Sequence, residues 1–217
     1  MELIPGNIHN SRVLISALDW GMGHTTRCVP IIHQLFQQNN SVSFAGNESQ
    51  ITFLRREFPE LSCFRLEGYN VRLDAEKNTY WQILAQAFKL SGAESREQKW
   101  LNTHLEQHHY DYIISDNRYG FYHKEVPSIM LTHQLNLQLP AFGGITSDVI
   151  RKKVNRFTAC WIPDGDLNLS GELSKADLSI PVYRIGVLGR FEEISCERDI
   201  ECTVILSGPE PSRSQFE

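Results

Sequence analysis

The first segment whose residues could do chemistry is a glycine turn that leads into a histidine. Gly21, Met22 and Gly23 follow an apolar run at residues 13–18, and His24 begins a helical pattern. Such a run is typical of a strand buried on both faces, and ligands of a parallel sheet bind where its strands end. At that edge glycines let the backbone come close to a ligand, and a histidine can accept a proton from a hydroxyl group. We predict that His24 is a general base; a histidine that merely caps the helix is the alternative.

A second polar turn follows the apolar residues 112–114 and contains Asp116, Asn117 and Arg118. It too should lie at the carboxyl edge of the sheet, so Asp116 can approach His24. A carboxylate hydrogen-bonded to one imidazole nitrogen fixes the tautomer of the ring and stabilises the imidazolium that forms on proton transfer. We predict that Asp116 orients His24; an aspartate that only closes the turn is the alternative. Arg118 is a candidate contact for an anion, against the alternative of a solvated surface arginine.

Histidines also occur in a third turn and in a predicted helix. The turn after residues 127–132 contains His133 and Asn136, which predict a contact to substrate or to a second domain. A polar loop with a partly buried histidine is the alternative. His104 and His108 share one helix face at a spacing that can bind zinc, but no third ligand accompanies them. We therefore predict no metal site.

Composition argues against several functional classes. The 217 residues are 41% apolar and 22% charged, with a formal net charge of −5, so no basic surface for nucleic acid is expected. No window approaches the roughly 18 apolar residues of a membrane-spanning helix, and residues 1–10 lack the features of a secretion signal. The five cysteines show no C-x-x-C spacing and are expected to be reduced thiols. These features predict a cytoplasmic protein.

Strand and helix patterns alternate along the chain, which predicts an α/β fold with a Rossmann-like, doubly wound parallel sheet. Strands are expected at residues 13–18, 41–46, 61–66, 112–114, 127–132, 159–162 and within 182–188. Helices are expected at residues 24–38, 47–58, 79–107 and 145–156. Asn47 is a predicted N-cap, and Ser91–Gly92 is a predicted break or kink in the long helix.

The pattern changes near the end of the chain. Residues 1–190 are predicted to form one Rossmann-like domain, and the charged residues 191–202 to form a linker. A new apolar run at residues 203–206 leads into a turn that contains Gly208. We expect residues 203–217 to be the first strand and turn of a second, truncated domain.

The glycine turn does not fit a dinucleotide-binding site. Thr26 stands where the third glycine of the dinucleotide fingerprint belongs. The second strand ends in Ala45 and Gly46, where an acidic residue would hold the ribose. Both departures argue against NAD, and we predict no cofactor.

Residues 13–28, which end in Gly-Met-Gly-His-Thr-Thr-Arg-Cys, resemble the amino-terminal motif of the two-domain GT-B nucleotide-sugar glycosyltransferases. Nearest by pattern are the bacterial transferase that adds N-acetylglucosamine to the peptidoglycan lipid precursor and the plant galactolipid synthases. The peptidoglycan transferase has His-Glu-Gln-Asn at the third turn; here His133 and Asn136 agree, and Gln134 replaces the glutamate. The Gly-Met-Gly-His-x-x-Arg-Cys form also resembles a nucleotide-sugar hydrolase of the pseudaminic acid pathway, which has the same fold.

The resemblance implies that residues 1–190 are the acceptor-binding half of an inverting, metal-independent glycosyltransferase. His24 would take the proton of the acceptor hydroxyl and Asp116 would orient His24, as in the His–Asp dyad of plant small-molecule glucosyltransferases. The implied substrate contacts are Gly21, Met22, Gly23, Thr25, Asn117, Arg118, His133, Asn136 and Gly208. The donor would be a nucleotide sugar, UDP-linked in the similar families, while the resemblance leaves the acceptor open.

A donor-binding domain in cis would hold the leaving nucleotide diphosphate in its glycine turns and helix N-termini, without a metal. The chain by itself is then expected to be inactive. Peripheral contact with the inner face of the membrane is expected if the acceptor is a lipid. Two alternatives stay open: a nucleotide-sugar hydrolase or epimerase of the same fold, and a non-catalytic binding domain.

Overall fold

A computed structural model of the chain describes residues 2–69, 79–136, 143–165, 167–175, 177–191, 195 and 199–204. Strands and helices alternate through these residues. The strands are β1 (Arg12–Ala17), β2 (Ser41–Gly46), β3 (Ser62–Arg65), β4 (Tyr112–Asp116), β5 (Ser128–Leu131), β6 (Ala159–Ile162) and β7 (Val182–Arg184). The α-helices are α1 (Gly23–Gln37), α2 (Glu48–Glu57), α3 (Thr79–Leu105) and α4 (Gly143–Val154).

The strands form one parallel sheet in the order β3-β2-β1-β4-β5-β6-β7. The order runs outward from β1 in one direction and outward from β4 in the other. In such a sheet the loops after the two central strands diverge to opposite sides and leave a crevice at their carboxyl ends, which is where ligands bind. This topology confirms the predicted Rossmann-like, doubly wound sheet.

Helices cover both faces of the sheet, and this explains why its central strands bury apolar side chains on both faces. On one face the side chains of Ile15, Phe44 and Ile114 pack with Ile32 of α1 and Leu54 of α2. The opposite face is divided between two clusters. Leu14 and Ile113 pack with Leu101 of α3, while Met130 and Cys160 pack with Ile150 and Val154 of α4.

Most of the predicted elements are confirmed to within a few residues. Asn47 caps α2 through a capping box, in which its side chain accepts from the backbone N–H of Gln50 at 3.0 Å. Two details differ. The long helix α3 continues through Ser91 and Gly92 without a break, and β7 ends at Arg184, four residues before the predicted limit.

The predicted beginning of a second domain falls largely outside the described residues, because residues 205–217, including Gly208, are not among them. The domain boundaries at residues 190 and 203 therefore stay predictions. In the described part of the chain, no helix is both long enough and apolar enough to cross a membrane. Cys28, Cys63, Cys160 and Cys202 are free thiols.

Candidate active site

The glycine turn and the Asp116 turn meet because β1 and β4 are neighbouring strands. Ala17, the last residue of β1, is paired in register with Asp116, the last residue of β4. Gly21 has a φ of +73°, a left-handed conformation that an L side chain rarely adopts, and it turns the chain from β1 into α1. The helix starts at Gly23, so His24 lies in its first turn, at the carboxyl edge of the sheet.

His24 and Asp116 form a hydrogen-bonded pair, as predicted. Nδ1 of His24 lies 2.9 Å from Oδ1 of Asp116. The carboxylate is fully buried, whereas 16% of the imidazole surface remains exposed. A carboxylate at Nδ1 holds the proton on that nitrogen and leaves Nε2 free to accept one. The pair therefore has the arrangement that a general base requires.

Arg27 is a third member of this site that the sequence predictions missed. Its Nε donates to Oδ2 of Asp116 at 2.5 Å and its Nη2 donates to Oδ1, so the guanidinium grips both carboxylate oxygens. Burial opposes the charge on Arg27, but the hydrogen bond and the charge of Asp116 outweigh it, and the pKa of Arg27 is raised. The spacing of three residues from His24 places both side chains on one face of α1, and this signal was available in the sequence.

The predicted site residue His133 is the fourth member of the cluster. Its Nδ1 lies 3.4 Å from Nη1 of Arg27, and the ring is half-buried. Burial, followed by the charges of Arg27 and His24, lowers the pKa of His133, so the ring is mainly neutral at neutral pH. The structure thus brings two histidines to one buried carboxylate that Arg27 neutralises.

Arg118 is buried and paired with a carboxylate, which corrects the alternative of a solvated surface arginine. Its contact with an anion stays a prediction. Its side chain is 1% exposed, and its Nε donates to Oε1 of Glu97 at 2.6 Å. Nη1 and Nη2 donate to the backbone oxygens of Ala17 and Glu67, at 3.3 and 2.8 Å. The guanidinium therefore ties together the carboxyl ends of β1 and β4 and the loop after β3. Its role is to hold the turns that carry the site.

Glu97 accepts further bonds from the hydroxyl of Tyr69 at 2.9 Å and the backbone N–H of Gly120 at 3.0 Å. Burial raises the pKa of Glu97, and the bonds from Arg118, Tyr69 and Gly120 act against that shift. The loop after β3 also closes on the glycine turn. A Cβ added to Gly68 would collide with the carboxylate of Asp19, so a larger residue at this position would have to displace that side chain.

We expect Arg118→Lys to lower the free energy of unfolding by about 1–2 kcal/mol. A lysine keeps the positive charge but lacks the several N–H donors of the planar guanidinium. The variant would keep an ion pair to Glu97 but leave the backbone oxygens of Ala17 and Glu67 unsatisfied. Urea unfolding followed by circular dichroism measures the change, with the exposed Arg12→Lys as the matched control. An unchanged urea midpoint for Arg118→Lys would contradict a stabilising role of the guanidinium hydrogen bonds.

Two other predicted contact residues make internal bonds. Thr25 is fully buried, and its hydroxyl accepts from Nε2 of Gln50 at 2.9 Å, so it joins α1 to α2 instead of facing the sheet edge. Asn136 donates from Nδ2 to the backbone oxygen of Glu172 at 3.2 Å and accepts from the hydroxyl of Ser147 at 3.3 Å. Both side chains therefore hold neighbouring segments together in this structure.

Open space adjoins Arg27 and the first turn of α1. A cleft of about 470 Å³ is lined by Gly23, Thr26, Arg27, Leu188, Gly189, Arg190 and Phe191. Met22, in the glycine turn, is 37% exposed beside Trp20, which is 43% exposed. The first turn of α1 thus presents backbone N–H groups, a guanidinium and apolar side chains around accessible space.

His104 and His108 do not form a metal site with a third ligand. Their rings lie 4.3 Å apart between centroids, and His104 stacks on Trp100 at 4.6 Å. Nowhere in the described ranges do three His, Cys, Asp or Glu side chains gather in a group that could hold a metal ion. Burial and then the charge of His108 lower the pKa of His104 to about 4.

The low pKa of His104 predicts that acid destabilises the chain. The unfolded state takes up a proton near the ordinary histidine pKa of 6.5, while the folded state takes it up only near pH 4. Stability is therefore lost as the pH falls from about 6.5 to about 4, by ~2 kcal/mol between pH 7 and 5 before screening and about 1 kcal/mol after it. Thermal unfolding at pH 7 and pH 5 should show a smaller decrease in Tm for His104→Gln than for the unchanged chain. An equal decrease in Tm would mean that His104 does not contribute to the loss of stability in acid.

The same fold occurs in solved glycosyltransferase structures. Phytolacca americana UGT2, solved with UDP-2-fluoro-glucose and pterostilbene, is similar at 16% identity and a TM-score of 0.54, over 82% of this chain and 54% of that one. UGT89C1 of Arabidopsis thaliana has 11% identity and a TM-score of 0.59, over 86% and 52% of the two chains. The glycosyltransferase of kitacinnamycin has 13% identity and a TM-score of 0.60, over 88% and 55%.

No family model matches the sequence, and neither does any curated protein. The chain spans about half the length of the solved structures that it resembles. At these identities the likeness concerns the fold and not the activity. The chain has the Rossmann-like fold of one half of a two-domain GT-B glycosyltransferase.

Proposed function

We propose that this chain is the acceptor-binding half of an inverting glycosyltransferase that moves a sugar from a nucleotide-sugar donor to a hydroxyl acceptor. The observation that carries the proposal is the 2.9 Å contact between Nδ1 of His24 and Oδ1 of Asp116 at the carboxyl edge of the sheet. A site that had lost its chemistry would not need this contact. Its presence therefore supports an enzyme over a non-catalytic binding domain.

In the proposed reaction, Nε2 of His24 takes the proton of the acceptor hydroxyl as the oxygen attacks the anomeric carbon of the donor. The bond from that carbon to the diphosphate breaks, and the nucleotide diphosphate leaves with the electron pair. Asp116 keeps His24 in the tautomer that can accept the proton and stabilises the imidazolium that results. Arg27 holds Asp116 through both of its oxygens, which fixes the direction of the carboxylate.

The proposed donor is UDP-linked. UGT89C1 of Arabidopsis thaliana has been solved with UDP-L-rhamnose and with UDP, which supports a donor of this kind on this fold. We place the diphosphate on a donor-binding domain in cis, where glycine turns and helix N-termini offset its charge. Gly208 as a donor contact, a cytoplasmic location and peripheral membrane contact stay predictions.

The decisive experiment incubates the complete protein with UDP-glucose, UDP-galactose or UDP-N-acetylglucosamine, with and without alcohol, phenol and glycoside acceptors. Release of UDP is measured by a coupled assay, and products are identified by mass spectrometry. We expect UDP release that depends on the acceptor, together with a glycosylated product whose anomeric configuration is inverted. Donor that stays intact with every acceptor in the panel would count against the proposal.

A hydrolase of the same fold is the second candidate, and the Gly-Met-Gly-His-x-x-Arg-Cys segment favours it. Arg27, the arginine of that pattern, is the residue that grips Asp116 in the structure. In the same assay a hydrolase releases UDP at full rate without an acceptor and yields free sugar. An epimerase instead changes the sugar without net accumulation of UDP. Either result would replace transfer as the function.

A further inference from the structure

A second cleft opens between the loop after β3 and the helix α3. Its volume is about 320 Å³, which is enough for a small organic molecule. Arg65 and Glu67 line it on the side of the loop, and Arg96 and Trp100 line it on the side of α3. Because Arg65 is the last residue of β3, the cleft lies at the carboxyl edge of the sheet, where parallel sheets bind their ligands.

The charged groups that line this cleft are unevenly satisfied. Arg118 is paired with Glu97, and both side chains are almost completely buried. Arg65 and Arg96 are exposed, and neither guanidinium has a hydrogen bond or an ion pair among the described residues. Glu67 is also exposed and unpaired within the same ranges. The lining therefore has an excess of positive charge, although the whole chain has a formal net charge of −5.

Trp100 gives the cleft an apolar wall that is already held in place. Its indole ring stacks on His104 at 4.6 Å between centroids, with 15° between the ring planes, and lies 6.1 Å from the ring of Phe121. Leu66 and Ala93 add to the apolar lining. Since neighbouring rings fix the indole, a ligand that packs against it orders little further side-chain motion. The cleft thus joins two unpaired guanidiniums to a rigid apolar surface.

We propose that this cleft binds an organic oxyanion, a carboxylate or a phosphate ester, whose charged group contacts Arg65 and Arg96 and whose flat apolar body packs against Trp100. A guanidinium donates paired N–H bonds to both kinds of oxyanion, and these charge-assisted bonds are stronger than neutral ones. None of the four members of the His24 cluster, all of which the structure describes, lines this cleft. The site is therefore additional to the proposed function and does not depend on it.

The test follows the indole N–H signal of Trp100 in two-dimensional NMR spectra of the complete protein, titrated at constant ionic strength. The signal is assigned by its loss in Trp100→Phe. Benzoate and phenyl phosphate are the probes, and benzamide and phenol are their neutral counterparts. We expect saturable shifts with both anions and affinities about tenfold lower or less for the neutral compounds. The anion that binds more tightly identifies the ligand as a carboxylate or as a phosphate ester.

Substitutions in the lining test the contacts one by one. Arg65→Gln and Arg96→Gln should each weaken benzoate binding about tenfold, because each removes a charge-assisted contact. Arg12→Gln is the matched control, since Arg12 is an exposed arginine at the opposite end of β1, and it should keep the affinity of the unchanged protein. Glu67→Gln removes an unpaired negative charge and should tighten binding about two- to fivefold, a gain that damage to the fold would not produce.

Three results would overturn the inference. Equal affinity for benzoate and benzamide would mean that the cleft does not recognise the charge. If Arg65→Gln and Arg96→Gln weakened binding no more than Arg12→Gln, the anion would not contact either guanidinium. A Trp100 signal that neither aromatic anion shifts would mean that no ligand of this class binds there. None of these measurements needs a nucleotide sugar or turnover, so their outcome is separate from that of the proposed transfer reaction.

Discussion

The His24→Ala variant of the complete protein is expected to lose turnover by about 10²–10⁴-fold, because the acceptor hydroxyl would then lose its proton without a base in contact. The loss should appear in kcat, with a small change in the KM for donor, because the imidazole accepts the proton in the transition state and does not bind the donor. Initial rates of UDP release at saturating donor and acceptor measure it. His24 is only partly buried, so the variant should fold with a Tm close to that of the unchanged protein.

His33→Ala is the matched control for this variant. His33 is an exposed histidine on the same helix, where its ring packs against Phe58 at 5.4 Å between centroids. It should keep the rate of the unchanged protein. Retention of most of the turnover by His24→Ala would remove His24 from the reaction, and Nε2 of His133 would be the next base to test.

The Asp116→Asn variant is expected to lose both turnover and stability. An amide at this position cannot neutralise Arg27, and it can present its N–H to Nδ1 of His24, which favours the wrong tautomer. The guanidinium of Arg27 is 14% exposed and would lack a counter-charge. We expect a decrease of about 3 kcal/mol in the free energy of unfolding, together with a loss of turnover of 10²-fold or more.

A double variant separates the two effects of Asp116. Arg27→Met combined with Asp116→Asn removes the uncompensated charge, so it should recover about half of the lost stability or more while turnover stays low. Urea unfolding and the UDP-release assay measure the two quantities on the same samples. If stability did not recover, the Arg27–Asp116 pair would not be the cause of the loss. If turnover recovered, Asp116 would be structural only.

The sequence predicted the framework of the fold well, for reasons that are local. The apolar runs of β1, β2 and β6 and the capping residue Asn47 are contiguous signals, and each element begins and ends within a few residues of its prediction. The prediction was less accurate at the end of β7. The apolar pattern continued to residue 188, but the pairing with β6 ends at Arg184. Pairing depends on the neighbouring strand, which local pattern does not include.

Three of the four members of the candidate site, His24, Asp116 and His133, were predicted from the sequence. His24 and Asp116 follow strands, and parallel strands end at one edge, so their proximity followed from the topology. Arg27 was missed because its partner lies 89 residues away in the sequence. The helical spacing from His24 shows only which face of α1 it occupies, and many arginines on a helix face are solvated.

Arg118 lies in a polar turn, and its sequence context suggested that its side chain contacts either an anion or solvent. Its environment is set by Glu97, 21 residues earlier on α3, and by backbone oxygens at the ends of two other segments. A buried arginine is tolerated in the core when a carboxylate and carbonyl oxygens pair with it, and it is not tolerated without such partners. The sequence of the turn does not show whether its arginine has these partners.

The glycine turn, the histidine after it and the alternation of strands and helices were determined by the sequence alone, because backbone freedom and side-chain periodicity are local properties of a chain. Tertiary structure decided which charges meet. Asp116 contacts both His24 and Arg27, and Arg118 points inward to Glu97. These outcomes depend on distances between elements far apart in the chain, and electrostatic and hydrogen-bond energies vary steeply with those distances.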